Sequence, residues 1–177
     1  MAARTIGPGR YAAVAFLIGF AVCVLDLVSK VLVVADLPPP RTVVLLGGLI
    51  TLQQHRNPGA AFSIGPSDTV IFALVAAGVL VVILRLARRL RSWPWTVALG
   101  LLLGGATGNL IDRLFRAPGP LRGSVVDWIK LPYFPATFNL ADSAIVTGAA
   151  LLVLASICGW QLAGTRAGVP EPPATHG

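Results

Sequence analysis

Four long apolar stretches constrain the fold of this chain more than any other feature of its sequence. They cover roughly residues 11–34, 69–86, 93–114 and 139–162, and crossing a bilayer takes about 20 helical residues. Only 12% of the residues are charged, whereas an average soluble domain carries about 25%. The sequence therefore predicts a small multi-pass membrane protein.

Composition and charge placement exclude several other classes of protein. The hydrophobic content of 55% is too high for a disordered chain. A net charge of +7 would suit a nucleic-acid partner only if the basic residues formed one solvated face, but they stand in short clusters between apolar stretches. No nucleic-acid partner is therefore expected. Cys23 and Cys158 lie in apolar stretches and are interpreted as buried free thiols.

The arginines predict the orientation of the chain in the membrane. The link between the second and third stretches holds Arg85, Arg88, Arg89 and Arg91, and the first stretch follows Arg4 and Arg10. By the positive-inside rule, this link and both termini are expected in the cytoplasm. All six aspartates then fall in the outer half of the membrane or beyond it. The first stretch is interpreted as an uncleaved helix because it is too long for the apolar part of a secretory signal.

A single integral membrane domain is expected over residues 1–164, followed by a disordered tail at 165–177. In the outer segment 36–68, two β-rich runs, 42–46 and 49–53, flank Gly47-Gly48 and predict a hairpin in a small sheet. The outer segment 115–138 is rich in proline and glycine and predicts a loop with at most a short helix. The expected fold is an all-α membrane protein with four transmembrane helices and a small extracytoplasmic β-sheet.

Elimination leaves the aspartates as the residues able to carry chemistry. The two histidines, His55 and His176, form no metal-binding pattern, and there is no G-x-S-x-G turn for a serine nucleophile. The glycine-rich stretch 104–108 lacks the lysine of a phosphate-binding loop. No metal and no cofactor are therefore expected.

Asp142 begins the fourth apolar stretch and lies three residues after Asn139, so the two share a helix face. An ionisable side chain at the centre of a span costs about 2.5 kcal/mol or more, which makes it a functional candidate by default. The structural alternative, equally open at this point, is that Asn139 caps the helix and Asp142 complements its dipole.

Asp127 lies in the apolar segment 125–129, between the third and fourth stretches. One interpretation is an exposed loop carboxylate beside an interfacial Trp128. In the other, Asp127 and Asp142 meet near the membrane surface and share a proton, so that one serves as base toward water and the other as acid. Such a pair supports amide hydrolysis without a metal ion.

Further polar residues lie within the spans. Gly100, Gly104 and Gly108 recur every four residues on one stripe with Asp112, and small residues at this spacing let a neighbouring helix approach. Asp112 and Arg113 are expected either to serve the site or to form an ion pair at this packing seam. Asn109 lies three and four residues before them and is expected to brace both.

Asp26 and Lys30 share one face of the first span at a spacing of four residues. The structural interpretation is an internal ion pair from which Lys30 extends outward to the membrane surface. Asn57-Pro58-Gly59 is, in its simplest interpretation, a turn.

Five segments together resemble the signal peptidase II family, the lipoprotein signal peptidases of aspartyl peptidase family A8. They are Asp26-Leu27-Val28-Ser29-Lys30, Asn57-Pro58-Gly59-Ala60-Ala61-Phe62-Ser63, residues 104–113, residues 125–129 and residues 134–143. Their order along a four-span chain is specific, and the resemblance covers about residues 11–162.

The resemblance implies a membrane aspartyl endopeptidase that removes signal peptides from bacterial prolipoproteins, cutting before a diacylglyceryl-modified cysteine. It places the catalytic pair on Asp127 and Asp142. It implies supporting or substrate-binding roles for six further residues: Asp26, Asn57, Asn109, Asp112, Arg113 and Asn139. Membrane phospholipids and globomycin-type inhibitors are the other implied partners, and the outer sheet and loop would cover the substrate.

The chain departs from the family pattern at three places. The segment 114–124 is longer, Trp128 replaces a more common phenylalanine, and one residue is added within 135–139. Two other functional classes remain to be weighed. A small channel or transporter would line an ion path with Asp26, Asp112 and Asp142, and a scaffold protein would use only the glycine stripe.

Overall fold

The computed structural model of the protein describes residues 8–59 and 69–164. Within these ranges, four α-helices are long and apolar enough to cross a membrane. They are α1 (Pro8–Asp36), α2 (Thr69–Ala87), α3 (Trp93–Phe115) and α4 (Leu140–Ile157). The helices lie on the four predicted stretches and confirm the four-helix membrane fold.

Helix α4 ends several residues before the predicted boundary at 162. Gly159 follows the helix with φ of +75°, and the N–H of Trp160 donates to the carbonyl of Ala155 at 2.8 Å. A left-handed glycine with this backward hydrogen bond is a common helix terminator. The predicted disordered tail, 165–177, lies outside the described residues.

Glycines bring α3 against α1, as the four-residue spacing predicts. A Cβ placed on Gly100 would stand 2.9 Å from the carbonyl oxygen of Ala15, and one on Gly104 would stand 2.5 Å from that of Gly19. Side chains larger than hydrogen would therefore push the two helices apart. The same stripe continues to Gly108, where a Cβ would stand 2.5 Å from a carboxylate oxygen of Asp26.

Four strands form one antiparallel sheet, side by side in the order β1-β2-β3-β4. The first two follow α1 in the sequence, and the other two lie between α3 and α4. The strands are β1 (Thr42–Leu45), β2 (Ile50–Asn57), β3 (Val125–Lys130) and β4 (Thr137–Phe138). The first two strands form the predicted hairpin around a short 3-10 turn, Leu46–Gly48, in which both glycines have positive φ. The register pairs His55 with Asp127.

The prediction of a loop with at most a short helix over 115–138 is confirmed for residues 116–124 and 131–136 but wrong for 125–130 and 137–138, which are strands. Residues 116–138 contain two strands and no helix, and β3 pairs with the long hairpin strand β2. The sequence Val-Val-Asp-Trp-Ile-Lys is rich in β-branched and aromatic residues, which fit a half-buried strand. The prolines and glycines on either side end the strand rather than prevent it.

The two cysteines differ in environment. Cys23 is buried, as predicted, whereas Cys158 is exposed at the end of α4, and both are free thiols. An apolar stretch is hidden from water by lipid as well as by protein, so hydrophobic sequence alone does not predict burial within the protein.

Candidate active site

Asp127 points into the interior from strand β3 and is 1% exposed. Its Oδ2 accepts a hydrogen bond from Nδ2 of Asn57 at 2.9 Å, and its Oδ1 accepts one from Nδ2 of Asn139 at 2.7 Å. The interpretation of Asp127 as an exposed loop carboxylate is therefore wrong. Pairing with β2 holds this segment against the helices, which a free loop would not do.

Asp142 lies in the first turn of α4, where it forms a capping box with Asn139. The N–H of Asp142 donates to Oδ1 of Asn139 at 2.8 Å, and the N–H of Asn139 donates to Oδ2 of Asp142 at 3.2 Å. The capping interpretation is confirmed. The cap uses only Oδ2 of the Asp142 carboxylate. The other oxygen, Oδ1, accepts from Nδ2 of Asn109 at 2.8 Å.

Asn139 connects the two aspartates. Besides capping α4, its fully buried side chain donates to Asp127 and, at 3.1 Å, to Oδ1 of Asn109. One amide thus bonds to Asp127 through Nδ2 and to the backbone of Asp142 through Oδ1. The structure therefore brings both sequence-predicted carboxylates to one place, between β3 and the start of α4.

The pKa of Asp127 is raised from 3.8 to about 7, because burial and, to a smaller extent, the nearby Asp142 raise it by more than the hydrogen bonds from Asn57 and Asn139 lower it. Two adjacent carboxylates in a desolvated site resist carrying two negative charges and tend to hold one proton between them. A general acid and a general base can then coexist near neutral pH.

Behind this pair, Lys30 lies at the centre of a second polar group. Its Nζ is 2.6 Å from Oδ2 of Asp26 and 2.8 Å from Oδ2 of Asp112, and all three side chains are at most 1% exposed. The predicted ion pair between Asp26 and Lys30 is confirmed. The prediction that Lys30 extends outward is wrong, because buried acceptors on α1 and α3 satisfy its ammonium group.

Asp112 pairs with Lys30 and Arg116 rather than with Arg113. Arg116 follows Asp112 by four residues and shares its helix face, whereas Arg113 follows by one and points elsewhere. The guanidinium of Arg113 lies 5.6 Å from the ring centre of Phe72. Its buried Nη1 has no hydrogen-bond partner among the described residues.

Asn109 also has partners other than those predicted. It was expected to brace Asp112 and Arg113, but it donates to Asp142 and accepts from Lys30 at 3.0 Å and from Asn139. A residue on α3 that lies between α1 and α4 can contact both, which the spacing within one helix does not reveal. The turn predicted at Asn57-Pro58-Gly59 is present, and it is an Asx turn, since Oδ1 of Asn57 accepts from the N–H of Gly59 at 2.9 Å.

Two cavities of opposite character reach the site. An apolar groove of about 220 Å³ runs between α2, α3 and α4, and its lining includes Phe72, Val79, Asn109 and Arg113. A polar cavity of about 290 Å³ opens on the sheet side, and its lining includes Asp127, Asn57, His55 and Gln53. Asp127 thus lines the polar space, and Asn109, which donates to Asp142, lines the hydrocarbon-like one.

Sequence reasoning did not assign Lys30, Arg116, His55 or Gln53 to the site. The four-residue spacing between Asp26 and Lys30 could have indicated Lys30. The same spacing between Asp112 and Arg116 could have indicated Arg116. The cross-strand pairing that places His55 beside Asp127 leaves no such local mark. In the part of the chain that the structure describes, no group of three histidine, cysteine or acidic side chains is placed to hold a metal ion.

The chain is similar to known proteins over most of its length. The family model for signal peptidase (SPase) II matches residues 18–158. The lipoprotein signal peptidase of Streptomyces griseus is 52% identical over 93% of this chain and 84% of its own length. That of Rhodococcus jostii is 49% identical over 88% of this chain and 78% of its own length.

Solved structures agree with this similarity. A bacterial membrane enzyme determined by the in meso method at 1.9 Å resolution is 28% identical, covers 81% of this chain and 92% of its own, and superposes with a TM-score of 0.71. With the family model matching 18–158, four membrane helices, a buried Asp127 on β3 and a part-buried Asp142 at the start of α4, this chain belongs to the signal peptidase II family of membrane aspartic proteases.

Proposed function

We propose that this enzyme removes signal peptides from bacterial prolipoproteins that carry a diacylglyceryl-modified cysteine, and that Asp127 and Asp142 activate the water that cleaves the peptide bond. The observation that carries the proposal is the sharing of Asn139 between the two acidic residues, with Asp127 buried and its pKa raised to about 7. The names of the similar Streptomyces and Rhodococcus proteins support the choice of substrate.

The reaction needs one ionised and one protonated carboxyl group. The carboxylate takes a proton from water as the water oxygen bonds to the scissile carbonyl carbon, and the carboxylic acid stabilises the carbonyl oxygen by donating to it. The resulting tetrahedral adduct then breaks its C–N bond, and the amine leaves with a proton from the dyad. The two aspartates can exchange roles, and the net proton count is unchanged.

Three asparagines keep the carboxylates in position for these transfers. Asn57 and Asn139 hold both oxygens of Asp127, while Asn109 and the backbone of Asn139 hold those of Asp142. Because side-chain amides do not titrate near neutral pH, they fix geometry without competing for the proton. Asp26 and Asp112 accept from the N–H groups of Ala141 and Val126, each one residue before a member of the pair.

The two cavities suit the two parts of the substrate and the water. The acyl chains of the lipidated cysteine fit the apolar groove, where the unpartnered Nη1 of Arg113 can donate to a substrate carbonyl. Water reaches Asp127 through the polar cavity on the sheet side. Membrane phospholipids would fill the groove between turnovers, and globomycin-type inhibitors would compete for the same space.

The arginine-rich link between α2 and α3 supports an orientation in the inner membrane. This link lies beside the end of α4, since the N–H of Arg91 donates to the carbonyl of Leu162 at 2.9 Å. The site lies at the opposite end of α4. The positive-inside rule then gives cytoplasmic termini and an active site near the outer face.

The channel alternative has less support. Two of its three proposed path-lining carboxylates, Asp26 and Asp112, are bound to buried Lys30, which leaves no row of free acidic groups for a cation. The scaffold alternative gives the buried polar groups no role at all.

Cleavage of a synthetic prolipoprotein peptide by the purified protein in lipid bilayers tests the proposal. We expect release of the signal fragment from the peptide with a diacylglyceryl-cysteine, and at least about 100-fold slower release from the same peptide with an unmodified cysteine, because remote binding energy positions the bond. Equal cleavage of both peptides would contradict the substrate assignment. Proton or cation flux without cleavage would favour the channel.

A further inference from the structure

Lys30 contacts Asn109, Asp26 and Asp112, which bond to Asp142 or to the residues just before Asp142 and Asp127. We infer that Lys30 is a positioning residue for the reaction: its ammonium group fixes the side-chain amide of Asn109 so that Nδ2 faces Asp142. This inference rests on the proposed function of Asp127 and Asp142 and adds a role to a residue outside that pair.

Three buried oxygen atoms surround the ammonium group of Lys30, two in ion pairs and one in a hydrogen bond. A lysine ammonium group has three N–H donors and no acceptor. Its three neighbours in the structure are Oδ2 of Asp26 at 2.6 Å, Oδ2 of Asp112 at 2.8 Å and Oδ1 of Asn109 at 3.0 Å. With the side chain 0% exposed, no water competes for these donors, so each neighbour is fixed in place.

The contact with Asn109 decides which way its amide points. The oxygen and nitrogen of an amide are similar in shape, and only their partners distinguish the two flipped orientations. The oxygen faces the positive Lys30 and also accepts from Asn139, which leaves Nδ2 directed at Asp142. Without the cation, the flipped orientation would place an oxygen against the Asp142 carboxylate.

The two carboxylates on Lys30 extend the same arrangement to the backbone around the dyad. The other oxygen of Asp26 accepts from the N–H of Ala141 at 2.9 Å, one residue before Asp142. The oxygen of Asp112 that faces Lys30 also accepts from the N–H of Val126 at 3.2 Å, one residue before Asp127. A packing role alone would not require contacts to both catalytic segments.

The charge of Lys30 also acts on Asp127 directly. The charged or titratable groups facing Asp127 include Asp142 on α4, Arg113 on α3, His55 on β2, Lys130 on β3 and Lys30 on α1. Lys30 lowers the pKa of Asp127, against the raising effects of burial and of Asp142. Loss of the ammonium group should therefore move the acidic limb of the rate profile to higher pH.

The test needs a variant that removes the cation without leaving a buried charge unpaired. Lys30→Met alone leaves the buried charge of Asp26 without a cation, which destabilises the fold. The double variant Asp26→Asn with Lys30→Met removes one charge of each sign, keeps an oxygen for the N–H of Ala141, and leaves Asp112 paired with Arg116. The exposed Arg41, whose guanidinium donates to the carbonyl of Asp36, provides a control as Arg41→Met.

For the double variant we expect a fall in kcat of about 100-fold with little change in KM, because the dyad is misplaced while the groove is intact. Its acidic limb should also move to higher pH. Adding Asn109→Ala to the double variant should cost little more, since Lys30 acts through Asn109. Arg41→Met should retain the kcat and the pH profile of the parent protein.

Three outcomes would overturn the inference. In the first, the double variant keeps the kcat and pH profile of the parent protein. In the second, the losses in kcat caused by the double variant and by Asn109→Ala add fully when the two are combined. In the third, the double variant lowers only the yield of folded protein. Asp127→Asn and Asp142→Asn, assayed beside it, separate this inference from the proposed function. If those two variants are inactive and the Lys30 variant is normal, only the inference fails; if they are active, the dyad itself fails.

Discussion

Helices α1 and α3 are held together in two different ways along their length. Over their first half, Gly100 and Gly104 lie against the backbone of Ala15 and Gly19, a contact that we call the glycine seam. Further along, Asp26 and Lys30 of α1 meet Asn109 and Asp112 of α3, a group that we call the ammonium cluster.

The difference between these two regions shows where the structure serves function. Close packing of small residues is sufficient to associate helices in a membrane. Burying charges is costly and stabilises a fold only when every partner is in place. A chain that needed only a helical bundle could extend the glycine seam. The ammonium cluster instead supports Asn109 and the segments that carry Asp127 and Asp142.

The largest loss of stability is expected for a substitution in the ammonium cluster. Asp112→Leu removes an acceptor from Lys30, from Arg116 and from the N–H of Val126. Breaking a buried ion pair costs about 3–5 kcal/mol of folding free energy. Denaturant unfolding in mixed micelles should show this loss, and a variant as stable as the parent would mean that the cluster is not needed for the fold.

A smaller effect is expected at the glycine seam. Gly104→Ala places a methyl group 2.5 Å from the carbonyl oxygen of Gly19, and overpacking of this kind costs about 1–3 kcal/mol. Gly78→Ala on α2 is the matched control, because a Cβ there meets nothing within 4 Å. Equal stabilities of the two variants, measured in the same micelles, would show that α1 and α3 are not in close contact.

The smallest effect is a pH-dependent gain in stability for Asp127→Asn. Because burial raises the pKa of Asp127 from 3.8 to about 7, the folded state binds a proton more tightly than the unfolded state. Stability from this group is therefore full below about pH 4 and declines as pH rises toward 7. Asparagine carries no charge and therefore avoids that decline, but it has only one oxygen to accept from the two amide donors that face Asp127. We therefore expect a net gain of about 1 kcal/mol in the free energy of unfolding at pH 8.

Thermal unfolding of the parent and of Asp127→Asn at pH 5 and pH 8 measures this gain. The advantage of the variant should be larger at pH 8. The opposite order would mean that the carboxylate of Asp127 is stabilised, not destabilised, by its surroundings.

Sequence patterns predicted the parts of the fold that local physics determines. Apolar length predicted the four helices, the glycine pair at 47–48 predicted the hairpin, and the three-residue spacing of Asn139 and Asp142 predicted the cap. These features depend on residues close together in the sequence. Segment 125–130 was missed because proline and glycine around it suggested a loop, whereas pairing with β2 makes it a strand.

The sequence predicted which residues form the site, but not which of them bond to one another. Resemblance to a family selected Asp127, Asp142 and the asparagines, and the structure places them together. The partners of Lys30, Asn109 and Arg113 depend on how α1, α3 and α4 face one another, and spacing within one helix carries no information on that. For this reason Lys30 was expected at the membrane surface and lies instead at the centre of the polar group.

The most direct test of the central claim is the single-turnover rate of lipidated-peptide cleavage by Asp127→Asn and Asp142→Asn between pH 5 and 9. If both carboxylates are needed to activate water, each variant should lose at least about 1,000-fold at every pH while retaining the helical circular dichroism of the parent. A variant that keeps a tenth or more of the parent rate at any pH would show that its aspartate is not part of the catalytic pair.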